Sequence, residues 1–204
     1  MSDRLPAADL RTMVAALRAE RTELLTFTSA LSGDEWAAPS AAKGWRIADV
    51  VAHIGATAGN MYDLGRFPLG LLIGGALVFD HHTHLRHDLA PALGGPVPPT
   101  DAARMRAVLT WMIAVLNNQV ARAPVAGLDA RVALTLTGPG GGTWWIDEAG
   151  VLPPASGPVA AHVTAPAATF PDWGTQRSGW RDSAVTTTGD TDLAARFLHS
   201  VNII

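Results

Sequence analysis

The sequence predicts an α+β protein of two domains, with a four-helix bundle over residues 1–125 and a smaller α+β domain over residues 126–204. Apolar residues recur every three or four positions through the first part of the chain, which is the spacing of amphipathic helices. From residue 132 they alternate with polar or small residues, which is the spacing of strands. A chain of 204 residues can bury a substantial core in this arrangement.

Four amphipathic helices are predicted in the first domain. The first covers residues 10–31, with Val14 on its apolar face, and is expected to end at Gly33-Asp34. The second begins near Trp45, and the third covers residues 69–89. The fourth begins at Thr100, whose hydroxyl is suited to cap a helix N-terminus.

The second domain is predicted to contain strands and a terminal helix. The strands are expected at residues 132–137, 144–146, 159–163 and 184–188. The glycine run 140–142 separates the first two strands, which indicates a hairpin. Residues 189–192 then introduce a helix that passes through Phe197 and Leu198.

Composition and charge exclude several classes of protein. The chain has no cysteine, so a metal would have to bind nitrogen and oxygen ligands. A formal charge of −3 offers no basic surface for nucleic acid. The sequence shows no secretory signal and no apolar run of membrane-spanning length, so we expect a cytoplasmic protein, and a monomer or weak dimer.

Histidine is concentrated in one part of the sequence, at positions 81, 82, 84 and 87. Asp80 and His84 are four residues apart, so both face one side of a helix and could bind the same ion. His53 lies at the edge of the apolar face of the second helix and could supply a third ligand. Two imidazoles and one carboxylate suit zinc and leave a coordination position open.

The same residues allow other interpretations. His53 could be a hydrogen-bonded core histidine, and the histidine cluster a solvated helix face. His81 and His84 form a competing pair at a spacing of three, whereas His82 and His87 are expected to be exposed. Asp88 is placed to orient a ligand histidine.

A family resemblance adds to this reading. Trp36, Pro39-Ser40, Gly44-Trp45 and the segment 49–54 resemble the signature of the DinB-like, actinobacterial mycothiol-dependent maleylpyruvate isomerase family. The resemblance implies a metal-binding four-helix bundle of the DinB/YfiT type. Residues 132–204 are similar to the C-terminal domain of that family, which has a sterol-carrier-like shape.

The resemblance also implies a set of site residues. Its metal ligands would be His53, His84 and an acid four residues before His84, where this chain has Asp80 and the family usually has glutamate. The shorter side chain leaves open whether Asp80 or His81 is the third ligand. A C-terminal arginine of the family binds an anionic group, and its counterparts here are Arg177 and Arg181, which could equally be surface residues stacked on tryptophans.

The resemblance further implies a divalent metal, either zinc or nickel, and mycothiol or a similar small thiol as cofactors. The expected activity is isomerisation or thiol S-transfer on a small anionic substrate. Two alternatives stay open, namely a metal-dependent hydrolase with the same ligands, and a non-catalytic protein that binds metal and an apolar ligand.

Overall fold

The computed structural model describes residues 10–60, 70–122, 128–152 and 157–203. These residues form seven α-helices and a five-stranded sheet, which confirms the predicted mixture of helix and strand. They separate into two compact units, residues 10–108 and residues 109–203. The division falls inside a long helix, whereas the predicted domain boundary at residues 125 and 126 lies outside the described residues.

The first unit is helical. Its elements are α1 (Leu10–Ser29), α2 (Gly33–Ala37), α3 (Ile47–Asn60), α4 (Gly70–Thr83) and the beginning of α5 (Ala102–Arg122). Helix α1 packs along α4, and a Cβ atom built on Gly74 would lie 2.7 Å from Met13, so the glycine permits their close approach. The predicted start of the third helix at residue 69 lies outside the described residues.

The end of α4 departs from α-helical geometry. Residues His84–Leu89 form a turn of π-helix, in which the N–H of Ala90 donates to the carbonyl oxygen of Leu85 at 3.0 Å. We call this segment the π turn. A short 3₁₀ segment, Pro91–Leu93, follows it. The sequence predicts one uninterrupted helix here, because its apolar spacing does not distinguish the two kinds of turn.

The π turn contributes directly to the core of the first unit. The buried residues of this core come from α1, α3 and the π turn, and they are Leu24, Ile47, Val50, Ile54, Leu85 and Leu89. Apolar burial on this scale is the main stabilising contribution to such a unit. It fixes the π turn against α3.

Three local predictions for the helices are wrong. Gly33-Asp34 does not end α1, which already ends at Ser29. These two residues instead begin the separate helix α2, which starts at a capping box formed by Ser32 and Glu35. Asp101, not Thr100, caps α5, since its Oδ1 accepts from the backbone N–H groups of Ala103 and Arg104. Val14 is 40% exposed and does not belong to the buried face of α1.

The second unit contains a mixed sheet. Its strands are β1 (Val132–Thr137), β2 (Gly142–Asp147), β3 (Gly150–Leu152), β4 (Ala161–Pro166) and β5 (Thr186–Gly189). Their order is β3-β2-β1-β4-β5, and β1 is parallel to β4 while the other pairs are antiparallel. The four predicted strands are confirmed within two or three residues at each end, and β3 is additional.

Helices complete this unit. The predicted terminal helix is α7 (Thr191–Ser200), which Asp190 caps by accepting from the N–H of Leu193 at 2.9 Å. Leu193 and Phe197 are buried where α7 packs on the sheet. A short helix, α6 (Phe170–Gly174), was not predicted. No described helix is long and apolar enough to span a membrane.

Candidate metal centre

His53, Asp80 and His84 lie together in the first unit. The Oδ1 atom of Asp80 is 3.4 Å from Nε2 of His53 and 3.5 Å from Nε2 of His84. One potential ligand atom from each residue lies within 4.8 Å of the other two. The structure thus brings together the three residues that the sequence predicts as metal ligands, and their role as ligands stays a prediction.

Local structure explains why these side chains meet. Asp80 lies in the last turn of α4 and His84 is the first residue of the π turn, so their four-residue spacing places them on one face. His53 lies on α3 between the core residues Val50 and Ile54. Val50 and Ile54 pack against Leu85 and Leu89 of the π turn, and this packing keeps His53 close to His84.

The cluster has the chemistry of a cation site. Oδ2 of Asp80 is buried, and within the described part of the chain it has no hydrogen-bond partner. A buried carboxylate oxygen without a donor is costly, and a bound cation would satisfy it. Two imidazole nitrogens and a carboxylate are a donor set that suits zinc or a similar divalent ion. The residues present therefore fit the metal that the family resemblance implies.

The two histidines of the cluster have different surroundings. Nδ1 of His84 lies 2.6 Å from Oδ2 of Asp88, a side chain only 1% exposed. The His53 side chain is 40% exposed, and its ring makes edge-to-face contacts with Trp45 and His84 at centroid distances of 5.4 and 5.2 Å. His84 is thus held by a buried hydrogen bond, and His53 lies on the accessible side.

A cavity opens beside His53. Its volume is about 440 Å³, and it is lined by Gly44, Trp45, Asp49, Ala52, His53 and Ala56. This volume is within the usual range for small-molecule sites. A ligand of that size could reach the exposed side of the metal cluster.

The remaining histidines of the segment have other partners. Nδ1 of His81 lies 2.9 Å from the carbonyl oxygen of Leu77, and burial lowers the pKa of this imidazole. The prediction that His82 is exposed is wrong, because it is 1% exposed and its Nε2 lies 3.1 Å from Oγ1 of Thr100. Burial lowers the pKa of His82 to about 2. His87 was also expected to be exposed, and it is half-buried.

A buried ion-pair network links the π turn to α1. Arg86 contacts Glu20 at 2.6 Å and Glu23 at 2.7 Å, and both glutamates belong to α1. The same guanidinium donates to the carbonyl oxygens of Pro98 and Pro99. Burial raises the pKa of Glu20, and the neighbouring Arg86 opposes that shift. No local pattern in the sequence predicts this network, because Arg86 and Glu20 are 66 positions apart.

The two predicted catalytic arginines lie in the second unit. Nη1 of Arg177 donates to Oγ1 of Thr175 at 2.8 Å. Arg181 stacks on Trp180, with 4.1 Å from Cζ to the ring centroid, and its Nη1 lies 2.7 Å from Nε2 of His199. Both arginines are exposed. The contacts of Arg181 are those of a surface stacking pair, and a catalytic role for either arginine stays a prediction.

The first unit is thus a helical domain that carries a candidate site for a divalent metal ion. Residues 17–155 match the mycothiol maleylpyruvate isomerase N-terminal domain family, and the chain belongs to that family. The match continues beyond α5 through β1, β2 and β3. This confirms the resemblance on which the sequence analysis relied.

No curated protein matches the chain. Among solved structures, the apo form of sterol carrier protein 2 from Yarrowia lipolytica aligns over 51% of this chain and 96% of its own, with 15% identity and a TM-score of 0.33. The sterol-carrier-like shape of the C-terminal domain stays a prediction.

Proposed function

We propose that this protein is a metal-dependent enzyme that uses mycothiol or a similar small thiol to isomerise, or transfer sulfur to, a small anionic substrate. One observation carries the proposal. The buried Oδ2 of Asp80 has no partner among the described residues, and it belongs to a carboxylate beside two imidazoles. Membership of a family named for mycothiol and maleylpyruvate isomerase supports the choice of cofactor and reaction.

In this proposal His53, Asp80 and His84 hold the ion. Zinc is our first choice, and nickel is the alternative to test. When bound, a divalent ion supplies positive charge that stabilises a thiolate at neutral pH. The chain has no cysteine, so a small thiol has to supply any sulfur nucleophile.

The chain's own residues bind and orient the reactants. Trp45 and the small residues Ala52 and Ala56 line an open depression beside His53, where a small molecule could reach the cluster from solvent. The anionic group of the substrate is assigned to Arg177 or Arg181, because a guanidinium can donate two parallel hydrogen bonds to a carboxylate.

We further propose that the long helices α1, α3, α4 and α5 form a DinB-like four-helix bundle. The packing of α1 along α4, and of α3 against α4 and the π turn, supports this arrangement. In such bundles, metal ligands project inward from neighbouring helices. His53 on α3 and Asp80 on α4 approach each other from two different helices, which supports this proposal.

Elemental analysis of the purified full-length protein, supplied with zinc or nickel, tests the proposal. We expect about one metal ion per chain in the wild type and loss of the metal in His53→Ala and His84→Ala. His162→Ala is the matched control, because His162 is exposed on β4. Absence of metal from the wild type would overturn the proposal.

Titration of mycothiol into the metal-loaded protein, followed by assays with maleylpyruvate, tests the reaction. We expect thiol binding that requires the metal, and turnover that requires both. Hydrolysis of esters or amides without thiol would instead favour the metal-dependent hydrolase. Thiol and metal binding without any turnover would favour the non-catalytic protein.

Arg177→Ala and Arg181→Ala test the assignment of the anionic group. We expect the arginine that binds substrate to show a raised KM when it is replaced, with metal content unchanged. Wild-type kinetics in both variants would show that neither binds the substrate.

A further inference from the structure

Asp88 makes two contacts that act on the candidate metal centre. Its carboxylate oxygen Oδ2 lies 2.6 Å from Nδ1 of His84. Its backbone carbonyl oxygen accepts a hydrogen bond from the N–H of Ala41 at 2.9 Å, which ties the π turn to the loop before α3. The side chain is 1% exposed, so bulk water has little access to the carboxylate that contacts His84.

The first contact determines where the proton of His84 resides. A carboxylate can only accept a hydrogen bond, so Nδ1 of His84 must be the donor in this pair. In a neutral imidazole the other nitrogen then carries the lone pair. That nitrogen, Nε2, faces Oδ1 of Asp80 at 3.5 Å. The geometry therefore presents a metal-binding lone pair to the cluster.

The π turn keeps this contact in place. Leu85 and Leu89 on either side of Asp88 are fully buried in the core of the first unit. Arg86, in the same turn, is anchored by its ion pairs with Glu20 and Glu23. Asp88 is thus held by packing, by a buried ion-pair network and by the Ala41 hydrogen bond, and it has little freedom to leave His84.

We propose that Asp88 is a positioning residue that keeps the proton of His84 on Nδ1 and directs Nε2 toward Asp80 and a metal ion. His53 is held in another way, since its ring packs on Trp45 and on His84. The inference concerns the tautomer of His84 in the metal-free protein, and only its effect on metal affinity rests on the proposed function.

NMR of metal-free protein labelled with ¹⁵N-histidine tests the tautomer. A two-bond ¹H–¹⁵N correlation spectrum at pH 9, where an ordinary imidazole is neutral, distinguishes the two ring nitrogens. We expect His84 to carry its proton on Nδ1 in the wild type and in Asp88→Asn, whose amide oxygen can still accept. We expect that preference to be lost in Asp88→Ala. His84→Gln identifies the signal.

Zinc affinity, measured by competition with a chelator, tests the consequence. Loss of a group that orients a ligand histidine typically weakens metal binding about 10–100-fold, and we expect a loss in this range for Asp88→Ala. Asp88→Asn is expected to lose less, because it keeps the hydrogen bond. Asp34→Ala, on the exposed helix α2, is the control and should bind zinc like the wild type.

The outcomes separate this inference from the proposed function. A wild-type His84 protonated on Nε2 overturns the inference, whether or not the variants fold. An Asp88→Ala protein that keeps the proton on Nδ1, or that binds zinc as tightly as the wild type, also overturns it. If the wild type binds no zinc while Asp88→Ala changes the tautomer, the tautomer assignment stands and the proposed metal-dependent function fails.

Discussion

Nη1 of Arg86 lies 2.6 Å from Oε2 of Glu20, and the two side chains are 4% and 0% exposed. Removing one member of a buried pair leaves the other charge without its partner, which typically costs about 3–5 kcal/mol. We expect Glu20→Leu to reduce the free energy of unfolding by an amount in this range, measured by urea denaturation. Arg86 keeps its ion pair with Glu23 in this variant, so we expect the loss of unfolding free energy to lie toward the lower end of the range.

Arg46→Gln is the matched control for this prediction. Arg46 also forms an ion pair, with Asp49 at 3.1 Å, but its side chain is largely exposed. Exposed pairs contribute little to stability, so the urea midpoint of this variant should stay close to that of the wild type. Equal losses in Glu20→Leu and Arg46→Gln would contradict the structural account of the buried network.

Asp80 is expected to reduce stability when no metal is bound. Its buried Oδ2 has no hydrogen-bond partner in the described residues, and such a group costs about 1–3 kcal/mol. Asp80→Leu should therefore raise the melting temperature of the chelator-treated protein. In the wild type, added zinc should raise the melting temperature, because a ligand that binds only the folded state stabilises it. The variant should not respond to zinc.

A matched substitution shows whether the effect is specific to Asp80. Asp88→Leu also removes a buried carboxylate, but one whose oxygen accepts from His84. It should lower the melting temperature of the metal-free protein, since the histidine loses its partner. If both substitutions lower it equally, the unpartnered oxygen of Asp80 is not a source of instability.

His82 is expected to make the fold sensitive to acid. Burial lowers its pKa from 6.5 to about 2 in the folded protein. Below pH 6.5 the unfolded chain therefore binds a proton that the folded protein does not, and stability falls as the pH decreases. One such group contributes a slope of at most about 1.4 kcal/mol per pH unit. His82→Gln should reduce the slope between pH 6 and pH 4 by up to this amount.

The measurement is the free energy of unfolding of wild type and variant at a series of pH values. Carboxylates elsewhere contribute to both curves, so only the difference between the curves reports His82. His162→Gln is the control because that imidazole is exposed on β4, and its curve should follow the wild type. Parallel curves for the wild type and His82→Gln would refute the assignment.

Gly189 is expected to tolerate no side chain. Its φ is +78°, and a Cβ atom would lie 2.4 Å from the carbonyl oxygen of Ala160. We expect Gly189→Ala to cost more than about 1 kcal/mol, since it combines a strained backbone with a steric clash. Gly33→Ala is the comparison, because Gly33 lies in α2 with no atom within 4 Å of the added Cβ. That variant should match or exceed wild-type stability in urea.

Short-range patterns predicted much of the fold and part of the site. The alternation around Leu134 identified β1, and the segment before Thr191 identified the start of α7. The relation between Asp80 and His84 was also local, because helix geometry determines it. His53, which meets the other two from a different helix, was predicted from its place at the edge of an apolar helix face, and the family resemblance supported that prediction.

Long-range contacts account for the failures. Arg86 looks like a surface residue in the sequence, and its partner Glu20 is 66 positions away. His82 was expected in solvent because nothing near it in sequence indicates its contact with Thr100, which is 18 residues further along. The capping box of Ser32 and Glu35 is an exception, because the three-residue spacing of this motif is visible in the sequence.

The π turn also bears on how this helix tolerates changes in length. Its hydrogen bond from Ala90 to Leu85 spans one residue more than an α-helical bond, so the segment contains the equivalent of a one-residue insertion. Deleting one residue between Leu85 and Ala90 would restore α-helical pairing, and the chain on both sides of the turn would keep its place, because a π turn confines an extra residue to one turn. Asp80 and His84 would keep their spacing, whereas deletion of His87 would place Asp88 three residues after His84 instead of four. Such a deletion would therefore alter the contact between Asp88 and His84 before it altered the packing of the neighbouring helix.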